Sequence, residues 1–246
     1  MSRIRLGVNI DHVATLRNVR GEEYPAPLKA ASIVKKSGGD SVTLHLREDR
    51  RHIRDSDLKY IIKKINIPVN LEISATNEML KLSLKNKPNF VCIVPEKRAE
   101  LTTEGGLNIK KKYNFLKKMI LKLKSNNIRV TLFVDPNISD IKLAKKCGAD
   151  GIEIHTGKFC NLFNIKKRRE IEYLKIKKVA KFAHNIGLHV HAGHGLTYKS
   201  ASLISKVKFI TELNIGHFII AESLFISLKE TIKKFKKIIN RWKFLA

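Results

Sequence analysis

Short apolar runs rich in β-branched residues alternate along the chain with longer segments whose apolar positions recur every three to four residues. That is the pattern of strands joined by helical crossovers. The runs predict strands at residues 4–10, 41–46, 69–73, 90–94, 130–134, 151–154, 188–191 and 217–220. Between them, helices are predicted at about 27–37, 55–65, 77–84, 109–126, 139–147, 166–186, 199–207 and 223–242. Gly38-Gly39, Gly148 and Gly187 fall just after helical segments, where a left-handed residue commonly ends a helix.

About eight strands is the number that closes a parallel barrel, and no linker divides residues 1–246. A doubly wound open sheet shows the same alternation, so the strand ends have to decide. Strand after strand ends in groups that chemistry uses: Asn9, Asp11 and His12, then His45 and Arg47, then Glu72. Glu96, Asp135, Glu153 with His155, His191 with His194, and His217 follow. A closed barrel converges these ends on one mouth, whereas a flat sheet spreads them apart. The expectation is an α/β chain forming one (β/α)₈ TIM-barrel domain.

Lys and Arg number 49 against 22 Asp and Glu, a formal net charge of +27 that raises the question of a nucleic-acid partner. The lysine runs, such as Lys63-Lys64, Lys145-Lys146 and Lys177-Lys178, lie on predicted helix faces and are not interleaved with aromatics. We therefore read the charge as compositional background and expect no nucleic-acid partner. No apolar stretch suits a signal peptide or membrane span, so the expected address is the cytoplasm, with no membrane association. Cys92, Cys147 and Cys160 show no disulfide or zinc spacing and are read as reduced packing residues.

His45 stands in an apolar strand and is followed by Arg47, Arg50, Arg51 and His52, a density of cations that suits a phosphate or carboxylate. Taken alone, His45 reads more readily as a core histidine satisfied by a backbone carbonyl, and it is the neighbouring cations that reverse this for the cluster as a whole. Glu72 and Glu153 sit in short apolar strands, where burial raises a carboxyl into the range of a neutral-pH acid or base. The competing reading for each is a buried ion pair. In 189–198, HVHAGHGLTY, three histidines surround two glycines; a metal site is one reading, and a glycine-lined anion loop, completed by Gly216 and His217 on the eighth strand, is the other. Residues 94–107 form a long polar segment ending in Gly105-Gly106, which reads as a lid. No P-loop, dinucleotide fingerprint or nucleophile elbow is present.

Together the segments GVNIDHVATLRN, HLREDRRHI, VPEKR with TTEGGL, IEIHTG, AGHGLTY and ELNIGH, running from Gly7 to His217, resemble the pyridoxine 5'-phosphate synthase family. The resemblance implies a (β/α)₈ barrel, a transferase of vitamin B6 biosynthesis. It would condense 1-deoxy-D-xylulose 5-phosphate with 3-amino-2-oxopropyl phosphate, releasing pyridoxine 5'-phosphate, phosphate and water. It implies no metal and no organic cofactor, and a homo-oligomer, typically an octamer.

Carried over position by position, the resemblance assigns His45 and Glu72 as proton acceptors, His194 as proton donor and Glu153 as transition-state stabiliser. Contacts to deoxyxylulose phosphate fall on Asp11, His12, Arg47, His52 and Thr102. Those to the aminoketone phosphate fall on Asn9, Arg20, Gly195, Gly216 and His217. One departure is His191, where the family motif carries Asn. The competing functions are a barrel enzyme acting on a single phosphosugar, such as an isomerase or aldolase, and a nucleic-acid-binding protein.

Overall fold

The computed structural model describes residues 3–96, 105–164 and 169–241. Within them, parallel strands close into a barrel in sequence order from β1 to β8. The strands are β1 Arg5–Asn9, β2 Ser41–His45, β3 Val69–Ile73, β4 Phe90–Ile93, β5 Arg129–Val134, β6 Gly151–His155, β7 His189–Gly193 and β8 Glu212–Ile215. The helices are α1 Asp11–Arg20, α2 Pro27–Lys36, α3 Asp55–Lys64, α4 Asn77–Asn86, α5 Tyr113–Lys124 and α6 Ile138–Lys146. They continue with α7 Gly157–Asn164, α8 Arg169–Asn185, α9 Tyr198–Ile204, α10 His217–Ile226 and α11 Leu228–Asn240.

The register of the strands positions the chemistry. It pairs Gly7 with Ser41, Asn9 with Thr43, His45 with Glu72, and Glu72 with Cys92. Further round the barrel it pairs Phe133 with Glu153, Glu153 with His191, and His191 with Glu212. Paired residues face the same side and alternate with their chain neighbours. The lumen therefore carries the polar set, and the outward set, Leu6, Val8, Leu44, Leu71, Ile93, Leu132, Ile152 and Leu213, is fully buried under the helices. Truncating one of these leucines to Ala removes about 2–5 kcal/mol. Branched aliphatic residues usually fill such a lumen; here polar groups satisfy one another. Asn214 Nδ2 donates to Glu153 Oε2 at 2.6 Å, and Thr43 Oγ1 donates to Asn214 Oδ1 at 3.3 Å.

The predicted strand at 217–220 is instead the first turn of α10, and the eighth strand is Glu212–Ile215. A short apolar run such as Phe218-Ile219-Ile220 reads alike as a buried strand or a buried helix. The real strand was hidden because its inward positions are Glu212 and Asn214. Gly216 and His217 are thus not on the eighth strand: Gly216 is the N-cap of α10 and His217 its first residue. Helices α1 and α7 arise in segments predicted only as polar strand ends and loops. The helix expected over 223–242 breaks at Ser227, whose φ is 70°, and Trp242 lies outside the described residues. Gly38, Gly148 and Gly187 are left-handed, as expected.

A buried ion pair fixes α1 to α3. Arg17, 2% exposed, grips both Asp57 carboxylate oxygens at 2.7 and 2.9 Å and donates to the carbonyl of His52 at 3.2 Å. Breaking such a pair from one side costs about 3–5 kcal/mol, because the surviving charge stays buried.

Candidate active site

At the C-terminal ends of the strands the lumen opens onto a floor of carboxyl groups. Asp11 Oδ1 accepts the backbone N–H of His45 at 2.9 Å, and its Oδ2 accepts Asn9 Nδ2 at 2.7 Å. Asn9 Nδ2 also reaches Glu72 Oε2 at 3.5 Å, and His45 Nδ1 lies 3.9 Å from the same oxygen. No arginine pairs with Glu72 among the described residues, so the ion-pair reading of this residue falls away. Burial raises Glu72 well above the usual carboxyl range, and the charges of Glu153 and Asp11 push it further. Burial also pushes Glu153 up to about 8, against the hydrogen bond from Asn214. Asp11 is raised by burial, partly offset by His45. The donor atoms of Asp11, His45 and Glu72 lie within 4.8 Å of one another, a spacing a cation could bridge. Both Asp11 oxygens accept hydrogen bonds, from the His45 N–H and from Asn9 Nδ2, and Glu72 is raised by burial.

His45 has carboxylates on both sides. Its Nε2 lies 3.8 Å from Glu96 Oε2, and neither atom has a hydrogen-bond partner among the described residues. Glu96 Oε1 accepts the Glu48 N–H at 2.8 Å and lies 3.6 Å from Arg47 Nε. Burial would raise Glu96, but His45 and the Glu48 N–H hold it low. Arg47 itself is buried, whereas Arg50 pairs with Asp55 and Glu78, and Arg51 pairs with Asp49. Of the basic cluster, Arg47 and His52 are the members beside the groups of the mouth, Arg47 at Glu96 and His52 at Thr15.

One rim of the mouth is a histidine group. Thr15 Oγ1 bridges His52 Nδ1 at 2.9 Å and His12 Nδ1 at 3.3 Å, and the His12 ring stands edge-on to His217 with centroids 5.1 Å apart. Burial and neighbouring cations lower His52 to about 4, and burial lowers His12. Gly216 touches Asn9 so closely that a Cβ would lie 3.0 Å from the Asn9 Cβ, which brings the N-terminus of α10 against β1. Helix N-termini present free N–H groups to anions. The adjoining part of the rim, after β7, holds His194 and the exposed Gly195; burial and then the neighbouring His155 lower His194 to about 4.

His45, Glu72, Glu153, Asn9, Asp11, His12, Arg47, His52, Gly195, Gly216, His217 and His194 all stand at this end of the barrel. Arg20 does not join them within the chain: it is exposed at the far end of α1, about 14 Å along the axis from Asp11. Thr102 and most of the expected lid lie outside the described residues. The three histidines once open to a metal reading do not converge. His189 is exposed at the start of β7, His191 lies in the lumen 3.9 Å from Glu212, and His194 is on the rim. Sequence reasoning gave no role to Glu96 or Asn214. Glu96 carried the same strand-end signal as its neighbours, and Asn214 was lost with the misplaced eighth strand.

A family model described as pyridoxal phosphate biosynthesis protein PdxJ matches residues 6–241. A pyridoxine 5'-phosphate synthase of Pelagibacter ubique is 56% identical over 237 residues, covering 96% of this chain and 99% of that protein. The enzyme of the same name from Ehrlichia canis is 49% identical, covering 97% and 98%. Among solved structures, KGPDC from Streptococcus mutans superposes with a TM-score of 0.66 at 13% identity, covering 98% of this chain and 99% of that one. Phosphoribosylanthranilate isomerase from Thermotoga maritima gives 0.61 at 13%, covering 96% and 98%. At these identities the two structures share the fold alone.

Proposed function

This chain belongs to the PdxJ family of pyridoxal phosphate biosynthesis proteins and catalyses the ring closure that forms pyridoxine 5'-phosphate, and we propose that it does so by passing protons between a carboxyl floor and an imidazole rim. The substrates are 1-deoxy-D-xylulose 5-phosphate and 3-amino-2-oxopropyl phosphate; phosphate and water leave. Joining an amine to a ketone, losing phosphate and closing an aromatic ring require repeated proton transfers by groups of separated proton affinity. The observation that carries the reading is the gathering of Asp11, His45, Glu72 and Glu153 around one floor, where the amides of Asn9 and Asn214 reach Glu72 and Glu153 and burial keeps both acids raised.

A floor of this kind suits a cationic substrate. The ammonium or iminium of the aminoketone favours the ionised form of Glu72 and so turns a resting acid into a base once the substrate is in place. His45, between Glu72 and Glu96, is the second acceptor, and Glu153 stabilises positive charge that develops deeper in the lumen. His194 rests uncharged at neutral pH, so it gives up a proton that an earlier step has handed to it. Asp11, His12, Arg47, His52 and Thr102 serve the deoxyxylulose phosphate. Asn9, Gly195, Gly216 and His217 serve the aminoketone phosphate, helped by the N-terminus of α10, whereas Arg20, at the far end of α1, is not placed to do so within this chain.

Incubating the pure protein with both substrates should yield pyridoxine 5'-phosphate. No product, or conversion of one phosphosugar alone, overturns the reading and favours the single-substrate alternative. A homo-oligomer, octameric as the resemblance implies, is supported by an apolar strip on neighbouring α1 and α10, where Val19 is 80% and Phe225 83% exposed. Light scattering on the purified protein tests it. The free, buried Cys92, Cys147 and Cys160 suit the reducing cytoplasm we propose as its compartment. No helix among the described residues is long and apolar enough to cross a membrane.

A further inference from the structure

A second acid–base cluster stands beside the groups given roles above. His155 ends β6, and its Nδ1 lies 3.1 Å from Asp135 Oδ1, just beyond β5. Its Nε2 is buried and has no hydrogen-bond partner among the described residues. The His155 ring meets His194 edge-to-face, with centroids 5.0 Å apart and planes at 68°. Phe133 supports both imidazoles, at 5.0 and 6.4 Å. Gly157 makes the approach possible, since a Cβ there would lie 2.5 Å from His155 Nε2 and 3.0 Å from His194 Cδ2.

The arrangement is held under strain. His194 has a φ of 79°, a conformation that side chains other than glycine adopt at an energetic cost. Thr156 Oγ1 secures it by donating to the His194 carbonyl at 2.7 Å. The charged and titratable groups facing the cluster are Asp135 from the end of β5, Lys158 from α7 and His194 from the turn after β7. The hydrogen bond to His155 holds Asp135 below its ordinary value, helped by the Gly106 N–H and by Lys158. A carboxylate fixed to Nδ1 of an imidazole selects the tautomer in which Nε2 is bare.

We propose that Asp135 and His155 are positioning residues for His194: Asp135 holds His155 as the Nδ1–H tautomer, and the bare Nε2 edge with the charge behind it sets the orientation and proton affinity of the His194 ring. This rests on the reading of His194 as the proton donor. When His194 takes up a proton, the Asp135 charge and the His155 lone pair stabilise the cation. When it delivers that proton to a leaving oxygen, the His194 imidazole is again neutral, and Asp135 and His155 are unchanged.

The test compares wild type with Asp135→Asn and Asp135→Glu, using both substrates. Asp135→Asn should lower kcat about ten- to a hundred-fold, leave KM for both substrates near wild type, and move the alkaline limb of the kcat profile about one pH unit lower. Asp135→Glu should recover part of the turnover and return the limb toward its wild-type position. Wild-type kcat in Asp135→Asn, or a loss in both variants with no movement of the limb, overturns the proposal. ¹⁵N ring spectra provide a readout that does not depend on turnover: His155 should be the Nδ1–H tautomer in wild type and lose that preference in Asp135→Asn. An Nε2–H tautomer in wild type overturns the proposal. A wild type that makes no product, with His155 still in the Nδ1–H form, overturns the assigned reaction and leaves the dyad standing.

Discussion

Burial acts with opposite sign on the floor and the rim of the barrel mouth. On the floor it pushes Glu72 and Glu153 up, toward the neutral acid; on the rim it pushes His12, His52 and His194 down, toward the neutral base. The buried acids of the floor and the imidazoles of the rim therefore approach pH 7 largely neutral, and the substrates bring charge to them: phosphates to the rim, an amine to the floor. The supports differ too. His45, Glu72 and Glu153 of the floor stand on strands locked by the ladder, with Asp11 at the start of α1, while rim groups stand on helix starts and turns, one of them in a strained conformation.

The largest effects should come from breaking the floor. Glu72→Gln and His45→Asn should each lower kcat by about 10²–10⁴-fold with phosphate affinity and fold retained, measured by steady-state kinetics and phosphate titration. Turnover near wild type in either variant would remove that residue from the acceptor role. On the rim, His52→Asn should act mainly on KM for deoxyxylulose phosphate, raising it about tenfold, because it removes a contact to an anion and no proton acceptor. A loss confined to kcat would show that the rim takes part in proton transfer as well.

The opposite signs also separate in stability. His52 and His194, near 4 in the folded chain and 6.5 unfolded, bind fewer protons folded than unfolded between those values, so stability falls as pH drops from about 6.5 to 4. Glu153, near 8 folded and 4.5 unfolded, binds more protons folded, so stability falls as pH rises from about 4.5 to 8. Glu153→Gln keeps an acceptor for Asn214 and abolishes the second loss. Its melting temperature should rise above wild type at pH 8 and match it near pH 4.5, with turnover reduced. A melting curve parallel to wild type across the range would mean that Glu153 ionises normally.

How far the sequence shows this contrast depends on the element. Strands such as VNLEI and GIEIH place one acid between aliphatic neighbours, so both the fold and the floor were legible from a short alternation. The eighth strand was not, because the polar lumen that makes Glu212 and Asn214 useful removes the apolar signal used to find strands. The rim was legible as residue types, but not as geometry: Arg50 and Arg51 stood in the same cluster as Arg47 and His52, yet they pair with Asp55, Glu78 and Asp49, whereas Arg47 is buried beside Glu96 of the site. Glu96 and the Asp135–His155 dyad were visible as strand ends, and only distances separate them from bystanders.

The smallest expected effect tests whether position or residue type makes a floor group. His191 lies in register with Glu153 and with Glu212, inside the lumen, and its Nδ1 is 3.9 Å from Glu212 Oε1. Burial lowers it against the pull of Glu212. It is thus an imidazole at floor depth, on a strand, turned toward a carboxylate that Arg5 already holds at 2.8 Å. Asn at this position retains a donor for Glu212 and adds no charge, so His191→Asn should leave kcat within about twofold of wild type and the pH profile unmoved. A tenfold fall, or a displaced acid limb, would carry the proton-handling floor one residue deeper and make His191 part of it.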